Sequence, residues 1–337
     1  MTRKIRFGLI GTGADARQRA AVLHQRSDCE IVATSGPGQS IKAGVHYEDA
    51  KGLVARADLD AVIYAGASSD AADICADAAR RGLHVLSLRP PAVSPGDMIT
   101  VREAQRAAPM GKVLQYSFPL HYHASVGVAK RLARGEELGS VLTMRGVYGV
   151  VIEPKLEARG GALLDRGMHM IDLMQAFGGR FVDAKGFVSQ KAWDNPGADD
   201  NAMALMRTKD GVLATVHAST TSWRETFRLE LGFSHGYLWL DGLVGGDGGL
   251  SPEMLIIGRP DVGEDGVPLA NPNEDIREFT TDNAVALELA DFIHAVKGRG
   301  TQTVGTSLQA FDALTLVHRL YGDDPTWSEP GMRTAAE

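Results

Sequence analysis

Two short stretches of the 337-residue chain carry residue types at spacings suited to chemistry. The first is Gly11-Thr12-Gly13-Ala14-Asp15-Ala16, placed between an apolar run, Lys4 to Ile10, and a helix-like stretch, Asp15 to His24. Glycine at 11 permits a tight turn, glycine at 13 lets the backbone approach a pyrophosphate, and a small residue at 16 lets helix and strand pack closely. A purely structural glycine turn would also fit, but a position at the head of an alternating β/α region favours nucleotide binding. The second stretch runs from Gly161 to Asp172, where spacings of four and three put Asp165, His169 and Asp172 on one face of a helix. Leu163, Leu164, Met168, Met170, Ile171 and Leu173 surround that stripe, so the helix is mostly buried and its polar face must meet partners or a cavity. A lone core histidine beside a capping aspartate is the plainer alternative. An ordinary solvent face, however, would carry Lys and Glu.

The elements that must position these residues fall into two kinds. Up to about Ala107, apolar strands (Glu30 to Thr34, Ala61 to Tyr64, Val85 to Leu88) alternate with helices (Ala71 to Arg81, Pro95 to Ala107). That order predicts a parallel sheet covered on both faces. After Gln115 the pattern changes. A helix, Ser125 to Arg134, leads to a long strand, Val141 to Val151, then to the helix Ala162 to Phe177 and a series of strands between Gly186 and Asp241 joined by short polar turns. This predicts a mostly antiparallel sheet with helices on one face. The stretches 242–249 and 260–273 read as loops, and the helices Asn283 to Lys297 and Ser307 to Tyr321 precede a Pro-rich tail. The expectation is an α/β dinucleotide-binding domain over 1–117 and an α+β domain with a mostly antiparallel sheet over 118–337.

Composition bounds what the sites can do. Apolar residues make up 44% and charged residues 23%, an ordinary globular balance. The 35 Lys and Arg against 42 Asp and Glu leave a net charge of −7 with no basic run, which argues against nucleic acid as a partner. Cys29 and Cys75 lack metal-ligand or redox spacing, so neither a disulfide framework nor a metal cluster is implied. No stretch approaches the roughly 18 apolar residues that span a bilayer, and no signal-peptide pattern opens the chain. A soluble cytoplasmic protein without a metal is expected.

With these residues in view, the chain resembles the Gfo/Idh/MocA family, the glucose-fructose oxidoreductases and inositol dehydrogenases. The resemblance rests on the two constellations in this order, on Gly82 to Pro90 at the family's Glu-Lys-Pro motif, and on Glu137-Leu138-Gly139 at its turn before the large sheet. The run Trp223 to Leu243 is similar to members of nucleotide-sugar and surface-polysaccharide pathways. The resemblance implies a Rossmann domain over 1–117, a large open-faced sheet in the second domain, and hydride exchange between a sugar carbon and nicotinamide. His169 would be the acid/base, since imidazole titrates near neutral pH, and Asp165 would bind or orient substrate hydroxyls. Asp172 would orient the helix or the imidazole, a structural cap being the plainer reading. Thr12, Ala14 and Ser68, beside the glycines, would line the cofactor.

Departures from the family cluster in the first domain. Arg89 and Leu88 stand at the family's lysine and glutamate; a guanidinium can polarise a carbonyl but cannot shuttle a proton. Val32 to Gly36 offers no acid for the adenosine ribose, which favours NADP over NAD, with Ser35, Ser40 and Lys42 as phosphate contacts. The stretch from Gly36 to Asp58 is short, so the family's second helix is expected to be a loop. His121 and His123, where the family often has arginine and histidine, would share one side of an extended segment, as substrate contacts or as structural residues. An NAD(P)-dependent sugar oxidoreductase is therefore expected, the alternative being a catalytically weakened homologue that binds a sugar or a partner subunit. The exposed sheet predicts a homodimer or homotetramer.

Overall fold

A computed structural model of the chain describes residues 3–38, 41–88, 94–152, 160–195, 197–243, 252–267, 269 and 272–327. Two compact units result. The first is built on β1 (Ile5–Ile10), α1 (Ala14–His24), β2 (Cys29–Ser35), β3 (Val45–Tyr47), α2 (Ala50–Val54), β4 (Ala61–Tyr64), α3 (Ser68–Arg80), β5 (His84–Ser87), α4 (Pro95–Ala107) and β6 (Leu114–Tyr116). Its sheet is parallel, in the order β3-β2-β1-β4-β5-β6. The order reverses beside β1, which is where open α/β sheets leave a crevice at their carboxyl ends. Where a loop was expected between Gly36 and Asp58, the chain forms β3 and the five-residue α2. Asp49 begins that helix by accepting a hydrogen bond from Gly52 N at 2.7 Å. Helix α4 starts on the signal its sequence carries, Ser94 and Asp97 in a reciprocal cap with Pro95 at the first turn.

The second unit opens with a 3₁₀ turn (Pro119–Tyr122) and α5 (Ala124–Arg134), followed by β7 (Val141–Val151). A π-helical turn (Leu163–Gly167) runs into α6 (Met168–Gly178). The sheet continues with β8 (Phe181–Ser189), β9 (Asn201–Thr208), β10 (Leu213–Ser219), β11 (Thr221–Phe233), β12 (Gly236–Asp241), β13 (Glu253–Gly258) and β14 (Glu274–Phe279). The eight strands order as β14-β13-β12-β11-β7-β10-β9-β8, antiparallel except for β7 beside β10. Strands β13 and β14 add two members at one edge beyond the expected series. Alternation along β9 and β10 sends Ala202, Ala204, Met206, Ala214, Val216 and Ala218 to the buried face.

The closing helices are α7 (Ala284–Val296) and α8 (Ser307–Asp323). An uninterrupted second domain from 118 onward does not form: the first unit takes Met1–Pro119 together with Val285–Thr315. The reason is packing. Leu289, Phe292 and Ile293 of α7 join Phe7, Leu9, Ala20 and Leu23 in one buried cluster. A buried ion pair, Arg19 to Glu288 at 3.1 Å, and a hydrogen bond from Ser117 Oγ to Glu288 at 2.8 Å tie α7 to the same unit.

Candidate functional site

In the first unit the chain after β1 is drawn against its neighbours. Gly11 N donates to Ser35 O at 2.8 Å, and Ala65 N donates to Ile10 O at 2.7 Å. Gly11 has φ +101°, and a Cβ there would lie 2.4 Å from Ala65 O, so only glycine fits between the ends of β1 and β4. Gly13 is the N-cap of α1 and has no side-chain capping bond; a Cβ on it would meet nothing within 4 Å. Helix α1 thus starts without a side-chain cap, the arrangement that accepts a phosphate at a helix N-terminus. Thr12 Oγ1 donates to Pro37 O at 2.8 Å and Arg17 to Thr12 O at 2.7 Å, which fixes the turn; Ala14 is exposed at the helix start. Ser68 opens α3 after an N-cap, Ala67, that also lacks a side-chain bond. These residues fit a dinucleotide pyrophosphate. Ser35 is buried at the end of β2, while Lys42 is exposed. Ser40 and Arg89 lie outside the described residues.

In the second unit the segment carrying Asp165 and His169 is anchored at its start by Asp199, a fully buried carboxylate that sequence reasoning did not single out. Asp199 accepts from Leu163 N at 2.9 Å and from Tyr321 OH at 2.5 Å, and its carbonyl accepts from Ala162 N at 2.9 Å. A Cβ on Gly161 would fall 1.8 Å from Asp199 Oδ1, so glycine is required for the approach. The following turn is π-helical, with Met168 N bonded to Leu163 O; such turns concentrate at functional sites. Asp165 lies in it, 3.5 Å from Arg166, whose guanidinium stacks 5.1 Å over the Tyr148 ring and donates to Tyr148 OH at 3.2 Å. Burial lowers the His169 pKa below the usual imidazole value; Asp165 and Asp172 oppose that shift, and Arg166 and His121 add to it.

His121 and His123 do not share an extended segment. Pro119 starts a helical turn that contains His121, whereas His123 is the N-cap of α5, so the two rings reach different partners. His121 Nε2 lies 2.6 Å from Asp172, and Lys130 Nζ lies 2.8 Å from His121 Nδ1. His123 Nδ1 lies 3.0 Å from Glu253 Oε2, and Glu253 also accepts from Ser125 N at 2.6 Å, capping the start of α5. Asp172 is thus an interior partner of His121 and not a helix cap.

Burial raises the Asp199 carboxyl to about 6 from 3.8, although the bonds from Tyr321 and Leu163 oppose the shift. A raised folded-state value favours the folded chain below the unfolded value, and that advantage is lost as pH rises through about 6. Asp199→Asn keeps the shape and has no such titration. Relative to it, the wild type should lose about 1 kcal/mol between pH 5 and 7.5. Urea unfolding of both proteins at the two pH values checks this; parallel stabilities would show that Asp199 does not titrate there.

Residues 126–239 match the GFO/IDH/MocA C-terminal domain. The rhizopine catabolism protein MocA of Rhizobium meliloti is 29% identical over 191 residues, 52% of this chain and 57% of that protein. This chain therefore aligns with little more than half of that relative's length. The 1,5-anhydro-D-fructose reductase of Ensifer adhaerens is 27% identical over 66% of this chain and 71% of its own. A 3-ketoreductase from Actinomadura kijaniata, solved with NADP and TDP-benzene, shares the fold with a TM-score of 0.79 over 96% of this chain and 98% of its own, at 19% identity.

Proposed function

Because residues 126–239 match the GFO/IDH/MocA C-terminal domain, we propose that this chain is a member of the Gfo/Idh/MocA family and an NAD(P)-dependent oxidoreductase acting on a secondary hydroxyl or ketone of a sugar or nucleotide-activated sugar. The observation that carries this reading is the half-buried His169 on the first turn of α6, directly after the π-helical turn that holds Asp165, in a chain whose other unit offers an uncapped glycine cradle. The sugar reductase and the 3-ketoreductase among its relatives support the substrate class. The nicotinamide, when bound, supplies or accepts the hydride. Gly11, Thr12, Gly13, Ala14 and Ser68 would hold the cofactor through backbone N–H groups and hydroxyls, with Ser35 and Arg89 as further contacts. Asp165 would accept hydrogen bonds from substrate hydroxyls, while His121 and His123, held by Lys130, Asp172 and Glu253, would take the structural alternative. His169, neutral at pH 7 because its pKa is lowered, would take the hydroxyl proton in oxidation. Arg89 would stabilise developing negative charge on the reacting oxygen. The β2 end, without an acid, favours NADP. Titrating the purified protein with NADPH and NADH, read by nicotinamide fluorescence, should show binding of at least one, NADPH the tighter. Binding of neither at millimolar concentration would overturn the enzyme reading in favour of a sugar-binding or partner-binding homologue.

The open face of the large sheet supports a homodimer or homotetramer. Register places Phe187, Met203, His217 and Val147 in one row across it, and Lys185, Leu205, Thr215 and Arg145 in the next. Phe187, Met203 and Leu205 are 75%, 57% and 55% exposed and border a groove of about 840 Å³. The pairs Arg145–Glu230 and Arg228–Asp241 run beside that apolar end, offering both signs of charge to a second copy. Light scattering at micromolar concentration should report a dimer or larger, and Phe187→Asp with Leu205→Asp should shift it toward monomer. A wild-type monomer would refute the assembly. No described helix is long and apolar enough to cross a membrane. The two free, buried cysteines, Cys29 and Cys75, support a cytoplasmic location.

A further inference from the structure

Beneath the acid/base reading of His169 lies a chain of three titratable side chains that the mechanism above does not use. Lys130 of α5 reaches His121 Nδ1 at 2.8 Å, and His121 Nε2 reaches Asp172 at 2.6 Å. His121 and Asp172 are 8% and 4% exposed, so neither could remain charged or polar there without a partner. Asp172 follows His169 by three positions on α6, which puts the two on neighbouring points of one helix face. An ammonium can only donate, so His121 Nδ1 accepts and Nε2, 2.6 Å from Asp172 Oδ2, carries the ring proton. The order of the three elements, not their spacing in sequence, creates this line.

We propose that Lys130, His121 and Asp172 form a buried relay in which His121 is a positioning residue, holding the Asp172 carboxylate oriented one helical turn from His169. The proposal deepens the reading of His169 as the acid/base and rests on it only for the word catalytic. Burial lowers Lys130 to about 8, opposed by Asp172 and assisted by Arg134, so the ammonium persists at neutral pH. The charged groups acting on His169 are Asp165, Arg166, Asp172 and His121. Removing the lysine charge leaves the Asp172 anion uncompensated and makes proton uptake at His169 easier.

The test uses the full chain without cofactor or substrate, labelled with ¹⁵N-histidine and read by long-range ¹H–¹⁵N NMR. Wild-type His121 should show the Nε2–H tautomer across pH 6 to 7.5. In folded Lys130→Met the His169 midpoint should rise by about 0.5 pH unit or more, and Lys130→Arg, which keeps the charge, should restore it. A wild-type Nδ1–H tautomer at His121, or an unchanged His169 midpoint in folded Lys130→Met, would overturn the relay. Because the readout needs no turnover, failure of the sugar oxidoreductase reading leaves this result intact, and an active enzyme with an unresponsive His169 sinks the relay alone.

Discussion

Replacing His169 with alanine is expected to lower turnover by about 10²-fold or more while cofactor and substrate still bind, the range for a lost general acid or base. The sign of the pH dependence follows from burial. With its pKa lowered, His169 is deprotonated at neutral pH, so oxidation of the hydroxyl should rise with pH and level off below the usual imidazole midpoint. Reduction, which needs the protonated ring, should fall over the same interval. Both limbs should vanish in His169→Ala. Arg89→Lys should retain or raise activity, since lysine restores a cation able to exchange a proton, whereas Arg89→Ala should lose charge stabilisation. Steady-state kinetics with a reducible sugar ketone, together with circular dichroism to confirm folding, decides the matter. A folded His169→Ala enzyme at wild-type rate, beside a dead Arg89→Ala, would make His169 a structural histidine.

The second large effect is expected at Gly13. Aspartate there should weaken NADPH binding by about 10²-fold or more, because a carboxylate placed against a pyrophosphate costs several kcal/mol. The fold should tolerate it: a Cβ at Gly13 meets no atom within 4 Å, and aspartate is a favourable N-cap for α1. Thermal stability should therefore hold or rise while binding is lost, a combination that unfolding cannot produce. Gly13→Ala should bind far better than Gly13→Asp. Fluorescence titration and a melting curve on the same samples make the comparison, and full NADPH affinity in Gly13→Asp would remove the cradle from the cofactor site.

Local chemistry explains why much of this was legible in one dimension. The strand, glycine turn and helix at residues 5–24 declare themselves because only glycine fits beside Ala65 O and because apolar runs of that length bury a parallel strand. The cap at Ser94, the long β7 and the helix around His169 follow equally from neighbours in sequence. Strand β14, EDIREF, is charged along an edge of the sheet, so its residues carry no burial pattern and only pairing with β13 makes it a strand. Helix α7 is amphipathic wherever it packs; the cluster with Phe7 and Leu9 alone assigns it to the first unit. The same limit governs the site. Asp165 and His169 were readable because they share one face of about two helical turns with Asp172, but Asp199, Glu253 and Lys130 lie tens of residues away and look like surface charges in sequence. What selects them is the cost of burying a polar group without a partner, a three-dimensional constraint that periodicity does not record.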